Sequence, residues 1–323
     1  MKQIRQIKEK SVWDGAVLAE NSPFAQSWDW GEILVAEGKN VQRLVLEDGG
    51  KILLLAQLVL MNLPFGWKYA FCPKGPVGQN ISDETLCVLK NYLQNQGVIF
   101  LRLEPNENNS KYLKKTKEVN PRATLILDLK KSEDELLSVM HAKTRYNIRL
   151  AQKKNLQIKN EKNLNIFLEL MKKTGNRDNF RLHETKHYEA ILNSNFCRQI
   201  TIYSEQVAVA TGIFIGYGET FTYVFGASDH EYRQLMAPYL LQWSAIQIGK
   251  NEGYEYYDFF GVAPKTNKDG EYEFDIDHQY AGVSRFKHGF GGEYHEAPGT
   301  FDLILHNIKY NLYSWLRKLR RLV

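Results

Sequence analysis

The stretch RFKHGFGGEYHEAPG, residues 285–299, concentrates groups that can do chemistry. Lys287 stands between Phe286 and Phe290 and is followed by Gly289, Gly291 and Gly292. Glycines lack a Cβ and tolerate positive φ, so backbone there can come close to a ligand. A lysine beside such a turn can stabilise an anion that forms only during a reaction. The bland alternative is a surface strand ending in a bulge with the lysine in water, the common fate of lysines.

Two further clusters need weighing. HETKH, His183 to His187, fits the H-E-x-x-H pattern of zinc proteases. So short a pattern arises readily by chance, and no convincing third ligand follows, so no metal is expected. Between His141 and Lys154 lie Lys143, Arg145, Arg149, Lys153 and Lys154 with no acid. Such a cluster can track a nucleic-acid backbone, or it can be a solvated helix face.

The elements that must position these groups can be read from pattern. The chain has 323 residues, room for about two domains. Apolar content of 43% and charged content of 24% suit a soluble globular protein with a proper core. The net charge of +5 permits a polyanionic partner. Cys72, Cys87 and Cys197 are far apart and suit a reducing compartment. The opening MKQIRQIKEK lacks a signal-peptide core, and the apolar run from Ile52 to Met61 is too short to span a bilayer, so a cytoplasmic protein is expected.

A helix is predicted from about Ser22–Pro23 to Gly38, with Trp28, Ile33 and Leu34 inward. Two strands follow about a turn at Asp48–Gly50, then a third strand ending near Pro73-Lys74-Gly75-Pro76. Ser82 caps a helix that ends at Gly97, and VIFLRLEP is a strand. Residues 106–120 read as a connector. PRATLILDL opens a second unit, and Ser132 with Glu135 forms a capping box. A basic helix, a helix stopped by Gly175, strands turning at Glu205–Gln206, a helix ending at Gly253 and the strand YEYYDFFGV complete it. Helix, hairpin, strand, helix, strand occurs twice, at an offset of about 156 residues. Pattern alone therefore implies a duplicated α/β domain with mixed sheets and a basic helical insert in the second copy.

The motifs QSWDWGE, YAFCPKGPV, LRLEPNE, PRATLILDL, KTRYNIRLA, TYVFGAS, LMAPYLLQW, YYDFFGV and FKHGFGG occur here in order, from about Ser22 to Asp302. Together they resemble the FemA/FemB/FemX transferases of bacterial peptidoglycan precursors. The resemblance implies two tandem GNAT-like domains, in a compact form without a helical arm. Expected boundaries are 1–120, completed by a C-terminal helix at 299–323, and 121–298. It implies transfer of an amino acid from aminoacyl-tRNA to a stem-peptide amine, carried on a UDP-MurNAc-pentapeptide or a lipid II-type precursor. No cofactor is implied, because the ester already stores the activation. A monomer is expected.

On that resemblance Lys287 matches the catalytic lysine and Phe286 shapes the site for the tRNA 3′ end. Glu104 matches an acid near the acceptor amine, for orientation or proton acceptance; its alternative is a strand-end carboxylate bonded to backbone. Tyr223 matches a tyrosine that contacts the nucleotide part of the precursor; its alternative is a core strand aromatic. Tyr188, His183, Arg181 and Lys74 are further substrate-binding candidates. Lys143, Arg145, Arg149, Lys153 and Lys154 would bind tRNA. Glu32 stands where a phosphate-binding lysine is expected, which favours a lipid-linked acceptor.

The tail NIKYNLYSWLRKLRRLV has five Lys/Arg and no acid from Lys309 onward. Tyr313, Trp315, Leu316, Leu319 and Leu322 give it an apolar side. It can dock on the first domain, or touch the anionic inner surface of the membrane. Two other functions remain open: an acyl-CoA N-acyltransferase, whose glycine turn would open a helix for a pyrophosphate, and a non-catalytic tRNA-binding module.

Overall fold

Continuous apolar runs on either side of Asp48 and Lys51, buried on both faces, build an antiparallel hairpin, and Gly49 (φ 57°) and Gly50 (φ 82°) supply the corner that its twist demands. This hairpin lies in the first of two units, Met1–Arg122 with Ala297–Val323; the second is Ala123–Glu296. The computed structural model describes residues 2–78, 81–108, 110–178, 181–266 and 273–319.

The first unit runs β1 (Lys2–Gln6), α1 (Lys10–Ala19), α2 (Trp28–Ala36), β2 (Asn40–Asp48), β3 (Lys51–Asn62), β4 (Lys68–Cys72), α3 (Asp83–Gln94), β5 (Val98–Leu103) and β6 (Leu113–Lys115). The second runs β7 (Ala123–Asp128), α4 (Glu133–Val139), α5 (Ala142–Gln152), β8 (Gln157–Asn160), α6 (Leu164–Asp178), α7 (Thr185–Asn193), β9 (Cys197–Ser204), β10 (Val207–Tyr217), β11 (Thr220–Ser228), α8 (Ala237–Asn251), β12 (Tyr256–Asp258), α9 (Ala281–His288) and β13 (Glu293–Glu296). The chain then re-enters the first unit as β14 (Phe301–Ile304) and α10 (Asn307–Leu319).

Each unit holds a seven-stranded sheet, ordered β1-β2-β3-β4-β5-β14-β6 and β8-β9-β10-β11-β12-β7-β13. Every pair is antiparallel except β4 with β5 and β11 with β12. A parallel pair needs a crossover, and α3 and α8 provide it. The two orders match strand for strand. Their sixth strands differ in origin: β7 precedes the rest of its sheet in sequence, whereas β14 arrives from the far end of the chain. Arg102 on β5 holds β14 by two bonds to Asp302, at 2.8 and 2.9 Å, and Tyr310 of α10 donates to the same carboxylate at 2.9 Å.

Several expectations need correction. The tail is a strand and then a helix, because Phe301, Asp302 and Leu303 are buried between β5 and β6. The 106–120 connector contains β6, which β14 recruits. Gly175 does not stop its helix; it is buried inside α6 and lets the helix run on to Asp178. The first predicted helix starts later: residues 24–26 form a 3-10 turn and Ser27 caps α2 by accepting from Trp30 N–H. Trp13 and Val17 anchor α1, which pattern reading did not mark. The Ser82 and Ser132 caps form where expected, each as a capping box.

Candidate active site

Lys287 lies in the last turn of α9, not on a surface strand. Three residues earlier on the same helix, buried Ser284 accepts a bond from Ala263 N–H at 2.7 Å and donates to Tyr280 O at 2.6 Å. That staples α9 to the segment after β12, and the i, i+3 spacing turns Lys287 to the same segment. The lysine ammonium donates to the carbonyls of Phe260 and Gly261, the latter at 2.8 Å.

Those carbonyls point inward because Phe260 (φ 50°) and Gly261 (φ 38°) are both left-handed. A bulky residue in that region is strained by about 1–3 kcal/mol and persists only where neighbours enforce it. Asp258 does so by accepting the Phe260 N–H at 2.7 Å, while the Thr124 hydroxyl donates to the same carboxylate oxygen.

The parallel pairing of β11 with β12 ends at Thr222 opposite Asp258. Past that point the strands separate, leaving Tyr223 on one and Phe260–Gly261 on the other. A bulge on β11 redirects the chain there: Phe214 faces Tyr223, Ile213 faces Phe225, and Val224 has no partner in the register. The Lys287 Nζ stands 5.5 Å from the centre of the Tyr223 ring. Glycine at 226 is required by this ring, since a Cβ there would meet the Tyr223 hydroxyl at 1.6 Å.

Lys287 is buried, with 6% of its surface exposed. Burial pulls its pKa down to about 7, and the nearby Asp258 charge pulls it partly back. The two carbonyl acceptors also favour the charged form. Burial raises the Tyr223 hydroxyl, opposed by the Gln242 amide beside it. Gln242 accepts from the Tyr257 hydroxyl at 2.6 Å, while its buried Nε2 meets no acceptor at hydrogen-bonding geometry. Its contact with Tyr223 is therefore loose. His288 is pushed down to about 4 by burial and is neutral at pH 7.

Phe286 packs against Tyr239 at 5.1 Å and Phe290 at 5.3 Å between ring centres, helping seat α9 on α8. Glu104 belongs to the first unit. Its buried carboxylate takes four bonds: from Lys74 N (3.0 Å), Asn120 N (2.8 Å), Asn120 Nδ2 (2.7 Å) and the Thr300 hydroxyl (3.0 Å). That is the strand-end alternative, and it ties β5, residue 120 and the returning chain together. Lys74 Nζ donates to Pro121 O. Buried Gln26 fills the neighbouring end of β4, donating to Pro73 O at 2.6 Å and accepting from Gln57 N at 2.7 Å.

Other candidates fall elsewhere. Tyr188 is a core residue, 1% exposed, with its ring against Phe167 and Phe225 and its hydroxyl accepting from His183 N, so it is withdrawn from the substrate-binding set. His183 and Arg181 are exposed ahead of α7. Because α7 starts at Thr185, His183 and His187 do not share a helix as the zinc-protease pattern requires. Arg145 leaves the tRNA set: its guanidinium donates to the carbonyls of Leu137, Ser138 and Met140, capping α4. Lys143, Arg149, Lys153 and Lys154 are exposed on one side of α5 and just past its end, with exposed Tyr146 among them. Glu32 pairs with Arg43 at 2.8 Å, and that guanidinium lies 3.6 Å from the centre of the Trp28 ring. The acid at 32 thus serves a local ion pair.

Reading the sequence missed Asp258, Ser284, Thr124, Gln242 and Gly226. Only Asp258 carried a local signal, an Asx-turn acid two residues ahead of Phe260.

A tandem pair of mixed sheets, each split at one parallel pair, is the fold of tandem GNAT-like transferases. A tandem GNAT protein from the clavulanic acid biosynthesis pathway has this fold, with TM-score 0.57 at 10% identity over 94% of this chain and 99% of that one. The crystal structure of FemX is more similar, with TM-score 0.78 at 19% identity over 96% and 99% of the two chains. The FemAB family matches residues 17–124, 109–196 and 193–318, and the chain belongs to that family. Among its relatives is a Lipid II:glycine glycyltransferase of Staphylococcus epidermidis, 20% identical over 90% of each chain. Another is the Aminoacyltransferase FemB of the same species, 30% identical over 36% of this chain and 26% of that protein. The protein is an enzyme of the aminoacyltransferase class.

Proposed function

We propose that this enzyme moves an amino acid from the ribose ester of an aminoacyl-tRNA to the stem-peptide amine of a lipid-linked peptidoglycan precursor, building an interpeptide bridge. The lipid-linked acceptor is supported by the Lipid II:glycine glycyltransferase relative and by the ion pair that occupies Glu32.

The observation that carries the reading is how Lys287 is held. Two carbonyls take two of its N–H bonds. The remaining position on Nζ is a third N–H when the group is charged and a lone pair when it is neutral. A group that titrates near neutrality can play both parts. The acceptor amine attacks the ester carbonyl, forming the C–N bond. As the C–O bond to the ribose breaks, the ammonium supports the oxyanion and gives a proton to the leaving oxygen. The proton lost by the attacking amine restores the ammonium, so the balance closes without a cofactor. Phe286 seats the helix that bears the lysine, Tyr223 walls its free side, and Glu104 with Lys74 holds the first unit's strand ends. The exposed basic side of α5 suits the tRNA backbone: its first turn is bound to the end of α9, His141 N donating to Gly289 O at 2.9 Å.

The acyl-CoA reading finds less support. The glycines at 289, 291 and 292 close α9 instead of opening a helix, and a helix C-terminus favours cations.

The test pairs purified protein with individually charged tRNAs and with UDP-linked or lipid-linked pentapeptide, read by mass spectrometry. One charged tRNA should add a single residue to the lipid-linked acceptor. Product from acyl-CoA, or none from any charged tRNA, overturns the reading.

A further inference from the structure

Helix α10 has two apolar faces, and only one of them is used by the fold. Tyr310 is buried, and Tyr310 and Tyr313 lie on Phe100 of β5, at 5.3 and 5.2 Å between ring centres. That is the docking face. Ile308 (86% exposed), Leu312 (41%) and Trp315 (57%) recur at i, i+4 and i+7, so they form one stripe on the opposite side. Leu316, which pattern reading placed with Trp315 on a single apolar side, is half-buried, as is Tyr313.

The charges fit this geometry. Lys309 and Lys318 are exposed and, at 100° per residue, fall on the two flanks of the stripe. No acidic residue occurs in α10, and the sequence continues with Arg320 and Arg321 beyond the described residues. A second apolar group stands beside the same cluster. Phe65, 72% exposed on a turn at Pro64–Gly66, touches Trp67, which packs against the docking-face cluster of Ile99, Phe100 and Tyr310.

A helix with aliphatic side chains outward, a tryptophan among them and lysines on both flanks suits the boundary of an anionic bilayer. Its aliphatic groups gain nothing from nucleic-acid phosphates, so the stripe favours acyl chains over RNA. We propose that the Ile308–Leu312–Trp315 stripe is a peripheral docking surface for an anionic phospholipid bilayer. The inference extends the proposed lipid-linked acceptor by giving the enzyme a way to reach it. It is tested without turnover, so the two can fail separately.

Full-length protein is floated with vesicles of phosphatidylcholine alone and with vesicles containing about one-third phosphatidylglycerol. Wild type should partition at least about tenfold more strongly onto the anionic vesicles. The triple variant Ile308→Ser, Leu312→Ser, Trp315→Ser should lose about tenfold or more of that partition with its circular dichroism spectrum unchanged. Lys309→Glu with Lys318→Glu should abolish the preference for anionic lipid. These variants change exposed side chains, so the fold is not at stake. The proposal is overturned if wild type ignores anionic vesicles or if the triple variant binds as wild type does. It is equally overturned if light scattering shows a dimer that the triple variant dissolves, because the stripe is then an interface between copies.

Discussion

The ammonium of Lys287 sits 5.5 Å from the centre of the Tyr223 ring and is anchored by the carbonyls of Phe260 and Gly261. Neither residue lies near the other in sequence. A bulge in β11 and a pair of left-handed residues after β12 bring them together.

This arrangement predicts the effect of removing the charge. Lys287→Ala should lower kcat by about a hundredfold or more, the usual scale for a lost preorganised donor. KM for the acceptor should stay within about threefold, since the group acts on the transition state. Steady-state kinetics on the lipid-linked acceptor measure both.

Burial of the same lysine also sets a pH dependence of stability. Its pKa is about 7 in the folded protein against an ordinary 10.5. Between those values the unfolded chain holds a proton that the folded chain lacks, so stability rises with pH, by at most ~1.4 kcal/mol per unit. Below pH 7 the cost of burying the charge is present in full. Lys287→Met removes the titration. Its Tm relative to wild type should therefore be highest near pH 7 and fall by about pH 9, an advantage shrinking or a deficit growing. A difference in Tm that ignores pH would show the ammonium to be solvated.

Gly226→Ala tests the seat of Tyr223. The new Cβ would meet the hydroxyl at 1.6 Å, so the ring must leave. A destabilisation of about 1–3 kcal/mol and a large loss of turnover are expected. Gly15→Ala is the control: it lies in α1 with nothing within 4 Å of the new Cβ. It should add about 0.5–1 kcal/mol and leave turnover unchanged. Denaturant melts and initial rates distinguish the two.

Glu104 is predicted to act through structure. With four donors on its carboxylate, Glu104→Gln places an amide NH₂ against another donor. It should cost about 2–3 kcal/mol, the scale of a lost charge-assisted bond. Rates corrected for the folded fraction should fall less than about tenfold, whereas loss of a general base costs about 10²-fold or more.

The basic residues of α5 should separate into two groups. Lys143→Ala, Arg149→Ala and Lys153→Ala should each weaken binding of every charged tRNA alike and flatten its salt dependence by about 0.7–0.9 in log–log slope. Arg145→Ala should leave that slope alone and lower Tm, because its guanidinium caps α4. Filter binding across a salt series reads the first effect and thermal melts the second.

Local physics made much of this protein legible without a fold. The Asp48–Gly50 corner, the Ser82 and Ser132 caps and the duplicated order of elements follow from interactions among residues a few positions apart. The FemAB motifs singled out Lys287, Phe286 and Tyr223 as candidates. Tertiary structure decided the rest, because each remaining choice joins residues far apart in sequence. Burial withdrew Tyr188 into the core, and the α4 carbonyls claimed Arg145. A strand from residue 301 entered the first sheet because Arg102 and Asp302 neutralise each other inside it. Above all, the Lys287 pKa falls to about 7 because the fold strips water from its ammonium, against the opposing pull of the Asp258 charge. Desolvation belongs to the assembled environment, and no spacing of letters encodes it.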